Sequence, residues 1–325
     1  MRGWRVHQPG EPEDALVLEE VDDPTPGPGE VAIAVRAWAL NFPDLLMVQG
    51  RYQVKPPTPF TPGIEVCGVV TAAGDGAGIE PGTRVVAHPD HGGMAEIVVT
   101  TAERTFPIPD EIDDVTGAAL TITYQTGWFG LLRQARLQPD ETLLVHAGAG
   151  GVGSAAIQIG KAAGARVIAT AGGPAKVAVC EQLGADVAID YTADDFLGAV
   201  QEATGSSRGV DVIYDPVGGD TFDASRRCLA FEGRLVTVGF TSGRIPDAPA
   251  NHILLKNYSV VGVHLDQYYE WAPKAVQDCH DDLVRLHAEG RIEPLVAHRL
   301  PFDEAPAALT SLGRRSTTGK VVLTG

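Results

Sequence analysis

Eleven residues, Leu143-Leu144-Val145-His146-Ala147-Gly148-Ala149-Gly150-Gly151-Val152-Gly153, carry the most specific chemistry in this chain. They form an apolar run that enters a glycine-rich turn. Gly148, Gly150 and Gly153 have the spacing G-x-G-x-x-G. In that spacing the first glycine allows a tight turn, the second lets a diphosphate approach the backbone, and the third lets a helix pack against its strand. The N–H groups and positive end of the following helix, begun by Gly151 and Val152, favour phosphate charges. The spacing alone is weak, so its flanks must decide.

The flanks agree. Leu143-Leu144-Val145 reads as a buried parallel strand, apolar on both faces. Val152, Ala155, Ala156, Ile159, Ala162 and Ala163 have helical spacing, and Gly164 is a helix stop. Ala165 to Thr170 reads as the next strand. Strand, glycine turn, helix and strand together make the roughly 30-residue unit that dinucleotide binding requires. An NAD site places Asp or Glu after the second strand, to hold a ribose 2′-hydroxyl. Here that place reads Thr170-Ala171-Gly172-Gly173-Pro174-Ala175-Lys176. It contains no carboxylate to repel a 2′-phosphate. Gly172 and Gly173 offer N–H groups and room, and Lys176 offers a positive charge. The expected cofactor is NADPH.

The chain has 325 residues and a net charge of −17. That length supports two domains with real cores. The charge argues against nonspecific binding to nucleic acid or anionic membranes, which need basic patches. Cys67, Cys180, Cys228 and Cys279 are scattered with no C-x-x-C pair, so a structural zinc cluster is not expected. They read as reduced core thiols, with Cys67 a buried core residue. The N-terminus lacks an apolar signal core, and no run of about 18 apolar residues suggests a membrane span. A cytoplasmic enzyme is the expectation. His88-Pro89-Asp90-His91 lies in a Pro/Gly loop with no third metal partner in sight. His146, at a strand end, reads as a packing or hydrogen-bonding residue, not a base.

Residues 1–118 are rich in Pro and Gly with short β-like runs, among them Val31–Val35, Val66–Val70 and Arg84–Ala87. This region reads as an irregular, GroES-like β-barrel that carries the catalytic groups. Residues 119–264 alternate helices with apolar strands at Val187–Ile189, Val210–Tyr214, Gly233–Val238 and Tyr258–Val263, a doubly wound Rossmann sheet. The tail from Leu265 adds a helix at Val276–Ala288 and a strand at Lys320–Leu323, and is expected to complete the first domain. The fold class is thus α/β.

Further segments carry a family resemblance over essentially the whole chain. Asn41-Phe42-Pro43-Asp44 through Gly50-Arg51-Tyr52, Thr61-Pro62-Gly63-Ile64-Glu65-Val66-Cys67-Gly68-Val69-Val70, Thr126-Gly127-Trp128, Ala147 to Gly153, Asp215-Pro216-Val217-Gly218-Gly219 and Val238 to Gly243 occur in order. Together they resemble the medium-chain dehydrogenase/reductase superfamily, and within it the zinc-free, zeta-crystallin-like quinone oxidoreductases. The resemblance implies that Thr126, Val217, Gly239 and Phe240 meet the cofactor, the last three on its nicotinamide side. It also implies 2′-phosphate contacts from Tyr191 and Arg315, a role that Arg314 could equally fill. Zinc alcohol dehydrogenases of the superfamily place Cys and His where this chain has Asn41 and Ile64. Asn is a poor zinc ligand and Ile is none, so no metal is expected.

Without a Lewis acid, polarising an alcohol for oxidation is difficult. A quinone or activated C=C bond is already electrophilic and needs only a hydride, stacking and a hydrogen bond to its oxygen. Tyr52, with an O–H and a flat apolar ring, is the candidate donor. Asn41 can fix the nicotinamide ribose or the acceptor oxygen. Asp44 reads as a loop-holding Asx group. The expected activity is NADPH-dependent reduction of small-molecule quinones or α,β-unsaturated carbonyls. The alternatives are an enoyl-thioester reductase, and an NADPH-binding structural or regulatory protein of crystallin type. The resemblance implies a homodimer joined through the edge strand Tyr258–Val263.

Overall fold

A computed structural model describes residues 1–205 and 209–325. Its strands, in chain order, are β1 (Arg2–Val6), β2 (Leu16–Glu20), β3 (Glu30–Leu40), β4 (Val66–Ala73), β5 (Arg84–Ala87), β6 (Ile97–Thr101), β7 (Thr105–Pro107), β8 (Thr142–Val145), β9 (Arg166–Ala171), β10 (Val187–Asp190), β11 (Val210–Asp215), β12 (Leu229–Thr237), β13 (Ser259–Gly262), β14 (Val296–Pro301) and β15 (Lys320–Thr324). Two compact units result, Met1–Ile122 with Pro294–Gly325, and Thr123–Glu293.

The first unit is built around β3. Sequence alternation marks only its first half, yet the strand runs on through Ala37-Trp38-Ala39-Leu40, all buried. Strand β4 pairs along most of one edge of β3. The other edge is shared, with β6 against Glu30–Ala34 and β15 against Ala37–Leu40. Two register shifts in the β3–β4 ladder bend the pair, as extra residues in one strand do. A bent central strand lets a sheet curl around its own core, which is what the barrel-like architecture requires. The core is pinned by polar tips on apolar rings: Trp4 Nε1 donates to the Phe302 carbonyl (3.1 Å) and Trp38 Nε1 to the Ala95 carbonyl (2.9 Å).

The second unit holds a six-stranded sheet in the order β10-β9-β8-β11-β12-β13. All its ladders are parallel. Chain order reverses between β8 and β11, the switch point where such sheets open a crevice at their carboxyl ends. Leu144, Ile168, Ile213 and Leu235 are fully buried from the four central strands, which explains their continuous apolar runs. Among the described residues, strand β13 ends the sheet and pairs only with β12.

The expected boundaries shift in two places. The first unit extends to Ile122, because the Ile122 N–H donates to Glu65 Oε1 at 2.6 Å. The tail rejoins that unit only at Pro294, not at Leu265. The helices Leu265–Trp271 and Pro273–Ala288 stay with the second unit. There Tyr269 Oη donates to Gln125 Oε1 (2.7 Å), Trp128 Nε1 donates to Asp282 (2.8 Å), and Tyr268 stacks on Phe129 at 3.8 Å. Those partners come from the helix Ile122–Trp128 and its continuation, so the two tail helices pack within the second unit. No helix among the described residues is long and apolar enough to cross a membrane.

Candidate functional site

In the second unit the glycine-rich loop leaves the end of β8 and starts the helix Gly151–Ala162. A side chain at Gly153 would put its Cβ 2.1 Å from the Ala147 carbonyl oxygen. Only glycine lets helix and loop approach that closely. At Gly148 a Cβ would strike Cys180 Sγ at 2.8 Å, so this glycine serves packing. The tight turn itself is made one residue earlier, by Ala147 at φ +52°, which corrects the expected role of the first glycine. At Gly150 a Cβ would press on the Ala147 carbonyl oxygen at 3.3 Å, a tight but milder contact than at Gly148 or Gly153. Gly150 is also the helix N-cap and supplies no side-chain cap. The first-turn N–H groups, which include Gly151, Val152 and Gly153, have no intrahelical acceptor by the geometry of a helix start. The residues therefore fit a dinucleotide diphosphate.

The region after β9 agrees with expectation in one respect and departs from it in another. A Cβ at Gly172 would lie 2.7 Å from Tyr191 Oη, so the fold does bring Gly172 and Tyr191 together. The Gly173 N–H, however, is not offered to a phosphate. It donates to Asp190 Oδ1 at 2.8 Å, and the same oxygen accepts from the Thr192 N–H (3.0 Å) and hydroxyl (2.6 Å). The segment 170–176 has no carboxylate of its own, but folding supplies one from the end of β10. These hydrogen bonds, led by that from the Thr192 hydroxyl, hold the Asp190 carboxyl below its ordinary pKa. Gly173 instead caps the helix Pro174–Gln182 at φ +85°, which places half-buried Lys176 in that helix's first turn. Arg315 sits at φ +56° in the first unit, apart in the chain from this group.

The loops after β11 and β12 are tied to each other. The Thr241 N–H donates to the Pro216 carbonyl (3.1 Å) and the Ser242 N–H to that of Val217 (3.0 Å). Asp215 folds the first loop by accepting from the Val217 and Gly218 N–H groups at 2.8 and 2.9 Å. Burial pushes its carboxyl upward. Val217, Gly239 and Phe240 thus lie on one pair of braced loops. Thr126 is buried in the helix Ile122–Trp128, which packs so closely on the glycine-loop helix that a Cβ on Gly127 would meet Ile159 at 2.8 Å. His146 is buried, with Nδ1 2.9 Å from Thr170 Oγ1 and Nε2 2.8 Å from Ser225 Oγ. The Ser225 hydroxyl donates to the Thr221 carbonyl (2.6 Å), so Nε2 must carry the imidazole proton and Nδ1 must accept. Burial depresses this histidine to about 3, and it stays neutral, as a packing residue should.

In the first unit, Asn41 and Tyr52 bracket the helix Phe42–Val48. The Tyr52 N–H donates to the Leu46 carbonyl (3.1 Å), and the residue is half-buried. Asp44 acts as expected, accepting the Asn41 backbone N–H at 2.8 Å. It is fully buried, and that burial pushes its carboxyl up to about 7. The Asn41 side chain is more constrained than its sequence context implies. Nδ2 donates to the Ala39 carbonyl (3.2 Å) and to Glu65 Oε2 (2.9 Å), while Oδ1 accepts from Lys320 Nζ (2.7 Å). Both amide hydrogens are thereby used. In the capping box its side chain also accepts from the Asp44 backbone N–H.

Glu65 and Lys320 were given no role by sequence. They form an ion pair at 2.7 Å with side chains 0% and 4% exposed. The signal was present: one acid and one base of opposite sign, each interrupting or heading an apolar strand run. Cys67 is buried beside Asp114 (3.7 Å), and burial raises its thiol. His88 is buried, and Asp90 pairs with Arg104 at 3.0 Å. Among the described residues no group of three or more His, Cys, Asp or Glu is placed to hold a metal ion.

A bent β-barrel-like unit and a parallel sheet with an uncapped glycine-rich helix start define a nucleotide-binding α/β protein of two units. Comparison sharpens this. Residues 27–110 match the alcohol dehydrogenase GroES-like domain and residues 151–280 the zinc-binding dehydrogenase family. Quinone oxidoreductase-like protein 2 of Bos taurus is 37% identical over 324 residues, covering 99% of this chain and 93% of that one. The quinone oxidoreductase of Escherichia coli, solved with NADPH, superposes with a TM-score of 0.93 at 31% identity, covering all of both chains. The enoyl reductase CurK superposes at 0.89 with 27% identity, covering 99% of this chain and 98% of that one. The chain belongs to the medium-chain dehydrogenase/reductase superfamily, in its quinone oxidoreductase group.

Proposed function

We propose that this chain reduces quinones or α,β-unsaturated carbonyls with NADPH, without zinc. The observation that carries the reading is the glycine-rich helix start at Gly150–Gly153, which has no side-chain cap and is set where the order of the parallel sheet reverses. The E. coli relative solved with NADPH supports the choice of cofactor. So do the pairing of Gly172 with Tyr191 and the place of Lys176 in the first turn of the helix that follows, although Asp190 adds a carboxylate there. Bound NADPH would supply the hydride. The chain's own part is to hold the diphosphate at the helix start and the nicotinamide side against Val217, Gly239, Phe240 and Thr126. Tyr52 donates its O–H to the acceptor oxygen as charge develops there. Asn41 is the candidate that fixes the nicotinamide ribose. Zinc independence rests on Asn41 and Ile64 standing at the positions that zinc enzymes give to Cys and His.

The likeness to CurK favours a second reading, enoyl-thioester reduction. Stopped-flow oxidation of NADPH with a quinone, an enone and an enoyl thioester separates the two. Fast turnover with the quinone or enone supports the first reading and preference for the thioester supports the second. NADPH binding with no turnover on any acceptor would leave a structural or regulatory protein. A homodimer through the outer edge of β13 is part of the proposal, since an edge strand needs cover; sedimentation at monomer mass would refute it. A cytoplasmic setting accords with four buried, unbridged cysteines.

A further inference from the structure

We propose that His146 is a positioning residue: its imidazole is a strut that fixes the helix Gly219–Ser225, and with it the nicotinamide-side loops, against the glycine loop that holds the diphosphate. The inference rests on the reading of Val217, Gly239 and Phe240 as the nicotinamide side, and every group in it belongs to the second unit.

His146 directly follows β8, where the glycine loop begins, and its backbone N–H donates to the Tyr214 carbonyl (3.1 Å). The imidazole bridges two further elements. Nδ1 accepts from the Thr170 hydroxyl on β9 (2.9 Å), and the Thr170 carbonyl accepts from the Gly148 N–H (2.9 Å), so this threonine grips the loop at two points. Nε2 donates to Ser225 Oγ (2.8 Å), whose own hydrogen goes back one turn to the Thr221 carbonyl (2.6 Å). The hydrogen bonds thus run in one direction, from Thr170 through His146 and Ser225 to Thr221, and no donor is left over. All three side chains that form it are buried, where solvent does not replace a lost partner. Phe196 packs edge-on against the imidazole, with 5.3 Å between ring centroids.

The helix at the far end of this strut carries loops. It follows directly on Val217 and Gly218. A Cβ on Gly218 would meet Phe240 Cδ1 at 2.8 Å, and one on Gly219 would meet Ser242 Oγ at 2.7 Å, so the loop after β12 lies against the start of this helix. Arg244 Nη2, from the same loop, pairs with Asp220 (2.9 Å) and Asp223 (2.5 Å) of the helix. Helix and loops are therefore one braced body, and His146 ties that body to the glycine loop. A nucleotide held at both places binds best when their spacing is set beforehand.

The test compares two ligands on the full chain by calorimetric titration: NADPH, and 2′-phospho-ADP-ribose, which lacks the nicotinamide. Two substitutions split the imidazole. His146→Asn places its amide near Nδ1 and can still meet Thr170, whereas His146→Gln reaches the place of Nε2 and can still donate to Ser225. Ser225→Ala removes the far acceptor, leaves His146 in place, and carries the test alone if His146→Asn fails to fold. His146→Asn and Ser225→Ala should each weaken NADPH by about three- to tenfold, the value of one neutral hydrogen bond, and leave the fragment unchanged. Combining them should add little, and His146→Gln should bind both ligands as the wild type does. Equal losses for the two ligands would show that His146 serves packing alone and overturn the proposal. So would unchanged NADPH affinity in Ser225→Ala, or losses from His146→Asn and Ser225→Ala that add in full, as those of independent sites do. If the wild type binds the fragment as tightly as NADPH, the reading of Val217, Gly239 and Phe240 falls and the proposal with it, while NADPH binding at the glycine loop stands.

Discussion

Asp44→Asn is the substitution that tests the buried carboxyl of the first unit most directly. The Asp44 carboxyl is fully buried, and burial, the largest influence, lifts it from 3.8 to about 7 against the opposing hydrogen bond from Asn41 and the charge of Lys320. The folded form thus holds a proton more tightly than the unfolded form. For a group shifted in this direction, stability is fully present below 3.8 and is lost as pH rises through about 7. At pH 5 the folded chain keeps Asp44 protonated while the unfolded chain has mostly lost the proton. By pH 8 both are ionised and the folded state bears the full burden. Linkage gives a contribution of about 2 kcal/mol against folding at pH 5 and about 4 kcal/mol at pH 8. The substituted side chain would retain an amide oxygen for the Asn41 N–H and carry no charge at any pH. Urea unfolding of both proteins at pH 5 and pH 8 should therefore show the variant gaining about 2–3 kcal/mol relative to wild type over that interval. A stability difference that does not change with pH would refute the reasoning, because it would mean that Asp44 ionises as easily inside the protein as outside it.

His146 should show the opposite slope. Its depressed value, about 3 against 6.5, confers stability that is present above 6.5 and lost as pH falls. His146→Gln should be less sensitive to acid than wild type, by about 2–3 kcal/mol between pH 7.5 and 4.5, and an unchanged acid slope in urea melts would count against a neutral buried imidazole. Tyr52→Phe should lower kcat by about tenfold to a hundredfold with little change in substrate affinity if the O–H meets developing charge; full activity with several quinones and enones would remove Tyr52 from the site. Lys176→Ala should weaken NADPH by about 1–3 kcal/mol and leave NADH nearly unchanged, while Asp190→Asn should tighten NADPH, and titrations in which both cofactors move together would place neither residue at the 2′-phosphate. Chelator treatment should leave turnover intact, and a stoichiometric zinc whose removal abolishes activity would overturn the reading of Asn41 and Ile64.

Local pattern alone determined a good part of this protein. Strands and helices around the glycine loop were legible because short-range periodicity and glycine spacing are local properties: Leu143 to Val145 is a strand, Gly151–Ala162 a helix, and Gly164 at φ +85° its stop. The neutral, structural role of His146 and the loop-holding role of Asp44 were also legible, since a residue's own type restricts what burial can do to it. Tertiary structure decided what depends on partners far apart in the chain. The second half of β3 is a strand because β15, some 280 residues later, pairs with it. The Gly173 N–H is spent because Asp190 folds back onto it from the next strand. Asn41 lost its donors to Glu65 and Ala39, and its oxygen was turned by Lys320. A sequence fixes which hydrogen-bonding groups exist. Only the fold fixes which are already satisfied, because each pairing is a competition among all the donors and acceptors that packing brings within about 3 Å of one another.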